Sequence, residues 1–153
     1  MGKKEKIKEI TKKTLKKLLF ESKVKVDETD NSFLIYIDSQ EAGMMIGRNG
    51  ETLRALQHLL RLMANKEFGD FVSLSVDVAG YKDKRRQDLE TSALKAAEAA
   101  VKSGRVQLLE PMNSFERRVI HMFLSRRPDI ETESVGNEPN RRVIVRMKKK
   151  QLA

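Results

Sequence analysis

Ile46-Gly47-Arg48-Asn49-Gly50-Glu51-Thr52-Leu53-Arg54-Ala55-Leu56-Gln57 is the stretch on which the reading of this chain turns. After its glycines, Leu53, Leu56, Leu59, Leu60 and Met63 mark one face of a helix running to about residue 65. Before them, residues 40–46 suit one or two helical turns. A G-x-x-G loop between two helices lets the backbone come close to a ligand and presents free amides at a helix N-terminus, which together make a seat for phosphate. Arg48 and Asn49 project from it as donors. With eight glycines in 153 residues the pattern alone arises easily by chance. Its weight comes from its position and from Met44, Met45 and Ile46, which can wall an apolar groove for bases.

Working outward, Ile7, Ile10, Leu15, Leu18 and Leu19 predict an amphipathic helix over 4–21. Val24-Lys25-Val26, the turn cluster Asp30-Asn31-Ser32 and the run 33–37 predict a β-hairpin. Residues 71–78 alternate with a β period. The order is αββααβ, with one sheet face apolar enough to be covered by helices.

At Ala79-Gly80-Tyr81 the composition shifts, and a domain boundary is placed there, giving domains 1–80 and 81–153. Leu89, Ala93, Ala96 and Ala100 form one stripe of a helix over 82–103, stopped by Gly104. A strand is expected over 106–109. Asn113 with Glu116 three residues on reads as a capping box that opens a helix to about residue 125. On that helix Phe115, Val119, Met122 and Phe123 are expected to anchor one face and Arg117 and His121 to share another. The alternating runs 130–135 and 142–147, joined by Gly136-Asn137-Glu138-Pro139-Asn140, predict a closing hairpin. The fold class is α+β in two small domains.

The formal charge is +9, unevenly spread. Residues 1–26 carry ten lysines against three glutamates, residues 27–80 hold four bases against nine acids, and residues 81–153 hold 17 bases against ten acids. In the last block arginines come in pairs: Arg85-Arg86, Arg117-Arg118, Arg126-Arg127 and Arg141-Arg142. Arginine grips phosphate in a bidentate fork, so an anionic partner is expected, with the C-terminal block as its main electrostatic grip. The chain has no cysteine, which excludes disulfides, thiolate metal sites and cysteine nucleophiles. Its only imidazoles are His58 and His121, and no serine or carboxylate is placed to complete a triad with either. Arg54 and His58 repeat the i, i+4 spacing of Arg117 and His121, and are read as an exposed helical pair. No apolar run approaches the ~20 residues of a membrane span, and the N-terminus lacks a secretory apolar region, so a cytoplasmic protein without membrane insertion is expected. No cofactor or metal site is expected.

The glycine segment resembles the I-G-x-x-G loop of a KH domain, and the element order is similar to the bacterial type II arrangement. KH domains clamp about four nucleotides of a single strand. The resemblance implies Gly47, Arg48, Asn49 and Gly50 at the nucleic-acid backbone, with Ile46 and Leu53 lining the base groove. Arg117 and His121, with the basic hairpin 134–143, resemble the domain family named for its Arg-x-x-x-His signature. That implies nucleic-acid contacts from Arg117, Arg118, His121, Arg141 and Arg142. The two in this order, joined through 76–85, are similar to the bacterial Jag/KhpB family of RNA-binding proteins. Many members carry an additional N-terminal domain, which this chain is expected to lack. The family implies a single-stranded RNA binder, an RNA chaperone or post-transcriptional regulator that pairs with a small single-KH protein and affects cell-wall synthesis and cell shape.

Two other functions compete. The acidic body of the first domain suits a protein-interaction scaffold docking a small KH partner, and single-stranded DNA is an alternative ligand. A nuclease is disfavoured, since no acidic cluster able to hold Mg²⁺ is evident, with Asp77, Asp83 and Asp88 the acids left open as candidates. The chain is therefore expected not to be an enzyme.

Overall fold

The computed structural model describes residues 1–149. The chain forms two compact units, the first ending at Lys82 and the second beginning at Asp83.

In the first unit, helix α1 (Lys3–Lys17) leads into strands β1 (Lys23–Glu28) and β2 (Phe33–Asp38). Helix α2 (Ala42–Ile46), a 3₁₀ turn at Arg48–Gly50, helix α3 (Glu51–Phe68) and strand β3 (Leu74–Val78) follow. The sheet order is β1-β2-β3. β1 and β2 run antiparallel with Val26 opposite Ile35, while β2 and β3 run parallel with Ile35 opposite Val76. Because side chains alternate across a strand, this register collects Val24, Val26, Ile35, Ile37, Val76 and Val78 on one buried face. Ile7 and Leu15 of α1, Met45 of α2, and Leu53, Leu56, Leu60 and Ala64 of α3 cover that face in one core. Each large aliphatic side chain so enclosed contributes about 1.5–3 kcal/mol of transfer free energy. The αββααβ order and the helix-covered face agree with the sequence reading.

Three boundaries differ from it. Helix α1 stops at Lys17 rather than near residue 21, because Phe20 N–H donates to Leu15 O and Leu19 N–H to Lys16 O, each at 3.0 Å. This is a Schellman closure with Leu19, at φ 65°, where glycine is usual. Leu18 and Leu19, expected on the buried stripe, therefore face solvent. Leu59 and Met63 likewise fall outside the α3 stripe, whose inward positions are 53, 56, 60 and 64. β3 begins at Leu74, not at Phe71, which is 73% exposed.

β3 is an edge strand, and α3 closes it. Gln57 Oε1 accepts from Val76 N–H at 3.0 Å, Arg61 Nη2 donates to Leu74 O at 3.1 Å, and Asn65 Oδ1 accepts from Val72 N–H at 2.7 Å. Their i, i+4, i+8 spacing brings one polar row of α3 along the strand, satisfying backbone groups that would otherwise template pairing with another chain.

Helix α4 (Tyr81–Ser103), whose first two residues belong to the first unit, opens the second, followed by strand β4 (Gln107–Leu108), helix α5 (Ser114–Leu124), and strands β5 (Ile130–Val135) and β6 (Arg142–Met147). The sheet order is β4-β6-β5, all antiparallel, with Ser134 opposite Val143 and Thr132 opposite Val145. Leu89, Ala93, Ala96, Ala97 and Ala100 of α4 meet Ile120, Leu124, Val143 and Val145 in a second core.

Two expectations for α5 need correction. The capping box is only half present. Asn113 Oδ1 accepts from Glu116 N–H at 2.9 Å, but the Glu116 carboxylate is turned away from the cap and buried, accepting from Arg85 Nε at 2.8 Å. Phe115 and Met122, expected to anchor α5, are instead 73% and 61% exposed. The helix buries positions 116, 117, 120 and 124, so its inner face carries a glutamate and an arginine.

Candidate nucleic-acid interface

The glycine loop is locally determined by sterics. Gly47 has φ 72° and ψ −175°, a region essentially reserved for glycine. A Cβ there would stand 2.8 Å from Thr52 Cβ and 3.0 Å from the Thr52 amide nitrogen. Gly50, at φ 76° and ψ 13°, is buried, and its Cβ would meet the Tyr81 ring at 2.8 Å. Between them Asn49 is left-handed at φ 52°, a conformation asparagine tolerates better than most residues. The chain thus doubles back tightly, and Arg48 and Asn49 stand exposed at the tip.

Around this tip the expected residues separate into two kinds. Ile46 is partly buried and packs against the core. Leu53 is only 4% exposed and belongs to the core beneath the loop rather than to an open wall. Met45 is also core, whereas Met44 is 70% exposed and is the apolar side chain offered to solvent beside the loop. Arg54, read from the sequence as half of an exposed helical pair, donates through Nη1 to Asn49 O at 3.2 Å. Its position four residues past Gly50, one turn into α3, was the available signal. His58 is exposed one turn further on.

In the second unit, Arg117 and His121 are brought to the same side of α5, but toward the protein. His121 sits between two hydroxyls of the inner β5 face, with Nδ1 2.7 Å from Thr132 Oγ1 and Nε2 2.8 Å from Ser134 Oγ. Partial burial, and secondarily the Arg117 charge, push its pKa below the ordinary imidazole value. Arg117 is buried, donating through Nη1 to Met112 O at 2.6 Å and to Glu138 Oε1 at 2.9 Å. The signature pair therefore fastens α5 to β5 and to the turn before β6. Arg141 Nη1 closes that turn by donating to Gly136 O at 2.7 Å. Arg118 and Arg142, by contrast, make no side-chain hydrogen bond or ion pair among the described residues.

Among the described residues no group of three or more His, Asp or Glu side chains could hold a metal ion, and no helix is long and apolar enough to cross a membrane.

Comparison with known proteins agrees with this two-part geometry. Residues 4–78 match the family described as KhpA/KhpB, KH domain, and residues 87–147 match the family of the Arg-x-x-x-His signature domain. The chain is 36% identical over 126 residues to the RNA-binding protein KhpB of Clostridium symbiosum, covering 82% of this chain and 57% of that protein. It is 35% identical over 130 residues to RNA-binding protein KhpB of Bacillus subtilis (strain 168), covering 84% of this chain and 62% of that protein. The chain thus spans about three fifths of the length of these two relatives.

Proposed function

The chain belongs to the Jag/KhpB family, a KhpA/KhpB-type KH domain followed by an Arg-x-x-x-His signature domain, and from that premise we propose that it binds single-stranded RNA without catalysis. The observation that carries the reading is the loop 47–50. Two glycines that have no room for a side chain hold an exposed Arg-Asn pair at the start of α3, where backbone amides, guanidinium and carboxamide face one strand of phosphates. Ile46 borders the base groove, and Leu53 supports it from the core. The second unit adds Arg118 and Arg142 as cations without a partner among the described residues, on a frame held by Arg117, His121 and Arg141. Two modest sites on one chain raise avidity when a single strand reaches both.

A titration of short single-stranded RNA at several salt concentrations tests the reading. With about four to six phosphates neutralised, log K falls with log[salt] at a slope near roughly −3 to −4. Arg48→Asp with Asn49→Asp removes the share of the first unit. A flat salt response, or equal affinity of that variant, rejects it. RNA incubated with the protein and Mg²⁺ stays intact if the chain is no nuclease. Single-stranded DNA of the same sequence is the companion ligand, distinguished through the 2′-OH.

The finer reading follows the family. We infer a cytoplasmic RNA chaperone or post-transcriptional regulator that pairs with a small single-KH protein and affects cell-wall synthesis and cell shape. Light scattering with and without that partner tests the pairing. Crosslinking in cells followed by sequencing of bound RNA tests the regulatory role, which is rejected if no transcripts for envelope functions are enriched.

A further inference from the structure

The arginine pairs of the second unit divide their work. In each of three pairs one guanidinium is spent on the fold: Arg117 on Met112 O and Glu138, Arg127 on both oxygens of Asp129, and Arg141 on Gly136 O. Their neighbours Arg118, Arg126 and Arg142 have no such partner among the described residues. Arg118 shares an outer face of α5 with the two large apolar side chains that the helix leaves outside. At 100° per residue, Phe115, Arg118 and Met122 lie within an arc of about 60°, opposite the buried positions 116, 117, 120 and 124. Arg126 follows in the turn just past the helix end and is exposed.

We propose that this outward stripe, Phe115-Arg118-Met122-Arg126, is the surface of the second unit on which single-stranded nucleic acid lies, with bases stacked on Phe115 and Met122 and phosphates held by the two guanidiniums. The inference rests on the RNA-binding reading above and locates its second site on a face of α5 about a third of a turn from the signature pair. Three features select the occupant. The stripe has two uncompensated positive charges and no acid, which matches a polyanion. Its cations alternate with an aromatic ring and a polarisable thioether, which suits bases interleaved with phosphates. From Phe115 to Met122 is seven residues, about 10 Å, a span that suits a short run of nucleotides. Arg117 and His121 become positioning residues that hold α5 at the angle presenting this face.

The chain has no tryptophan, so Phe115→Trp supplies a single emission probe. Titration of that full-length variant with a ten-nucleotide single-stranded RNA is expected to quench its emission saturably, while Phe71→Trp, a control at an equally exposed position of the first unit, is expected to respond far less. Phe115→Ala is expected to weaken RNA binding about tenfold and Phe115→Tyr to restore it. Arg118→Ala with Arg126→Ala is expected to lower the salt slope by about 1.4, the value for two phosphates on a single strand. All four side chains are exposed, and far-ultraviolet circular dichroism verifies the fold. If wild type binds RNA and these variants bind as wild type does, the stripe is rejected while the RNA-binding reading stands. If wild type binds no RNA, both fall. Quenching by phosphatidylglycerol vesicles or by a polyglutamate peptide, without quenching by RNA, overturns the proposal in favour of a membrane surface or an acidic protein.

Discussion

Arg85 donates through Nε to Glu116 Oε1 at 2.8 Å, tying α4 to the first turn of α5 with the carboxylate almost wholly enclosed. Removing one partner of a buried pair leaves an uncompensated charge, at about 3–5 kcal/mol when both are fully buried. The Arg85 side chain is 24% exposed, so Arg85→Leu is expected to destabilise the second unit by less, about 2 kcal/mol. Arg85→Leu with Glu116→Leu, which removes both charges, is expected to recover most of that loss. Urea unfolding of the four members of the cycle measures it, and strictly additive losses would show that the two side chains do not interact.

Leu19 occupies the left-handed position that ends α1 and is 85% exposed, so its side chain brings little burial to offset the conformation. Leu19→Gly relieves about 1–2 kcal/mol of steric cost and adds about 0.5–1 kcal/mol of unfolded-chain entropy. A net stabilisation of about 0.5 kcal/mol is expected, read as a higher denaturant midpoint of the first unit. A lower midpoint would show that Leu19 makes a contact worth more than the strain.

Gly50→Ala is expected to destabilise the first unit by about 2 kcal/mol, since it adds a left-handed penalty to a collision with Tyr81. In a Tyr81→Ala background only the backbone share remains, so Gly50→Ala there costs about 1 kcal/mol. The coupling between the two substitutions, measured by thermal unfolding, is the decisive quantity. A coupling of zero would place the entire cost in the backbone.

His121 makes stability depend on pH. Its folded pKa lies below the unfolded value of about 6.5, so the fold favours the neutral ring. The stability it contributes is complete above about pH 6.5 and is lost as pH falls through the folded value. Wild type is therefore expected to lose stability as pH falls below about 6.5, and His121→Gln to flatten that slope. Equal slopes in the two proteins would exclude the imidazole as the source.

The helices and strands could be read because their apolar periods are regular. Val24 to Val26, residues 33–37 and the stripe of α4 each announce one buried face, and Gly47 to Gly50 announces a loop no bulkier residue could form. What stayed hidden was polar or nonlocal. Glu116 satisfies the spacing of a capping box, yet Arg85, 31 residues away, draws its carboxylate elsewhere. Arg117 and His121 looked like ligands because charged and polar side chains usually face water, and only the hydroxyls of Thr132 and Ser134 and the carboxylate of Glu138 reveal that these two face the protein. Leu19 gives no stop signal because the left-handed cap normally advertises itself with glycine.

The split labour of the paired arginines governs how loss-of-charge mutagenesis of this protein must be interpreted. An alanine in place of Arg117 or Arg141 removes a bond that holds α5 or the closing turn, so lost affinity there reports a disturbed fold as readily as a missing ligand contact, while Arg127 only loses its exposed pair with Asp129. Among the paired arginines, substitutions at Arg118, Arg126 and Arg142 subtract charge without removing a partner among the described residues. A change in ionic-strength dependence at those three therefore reports on the ligand rather than on the frame.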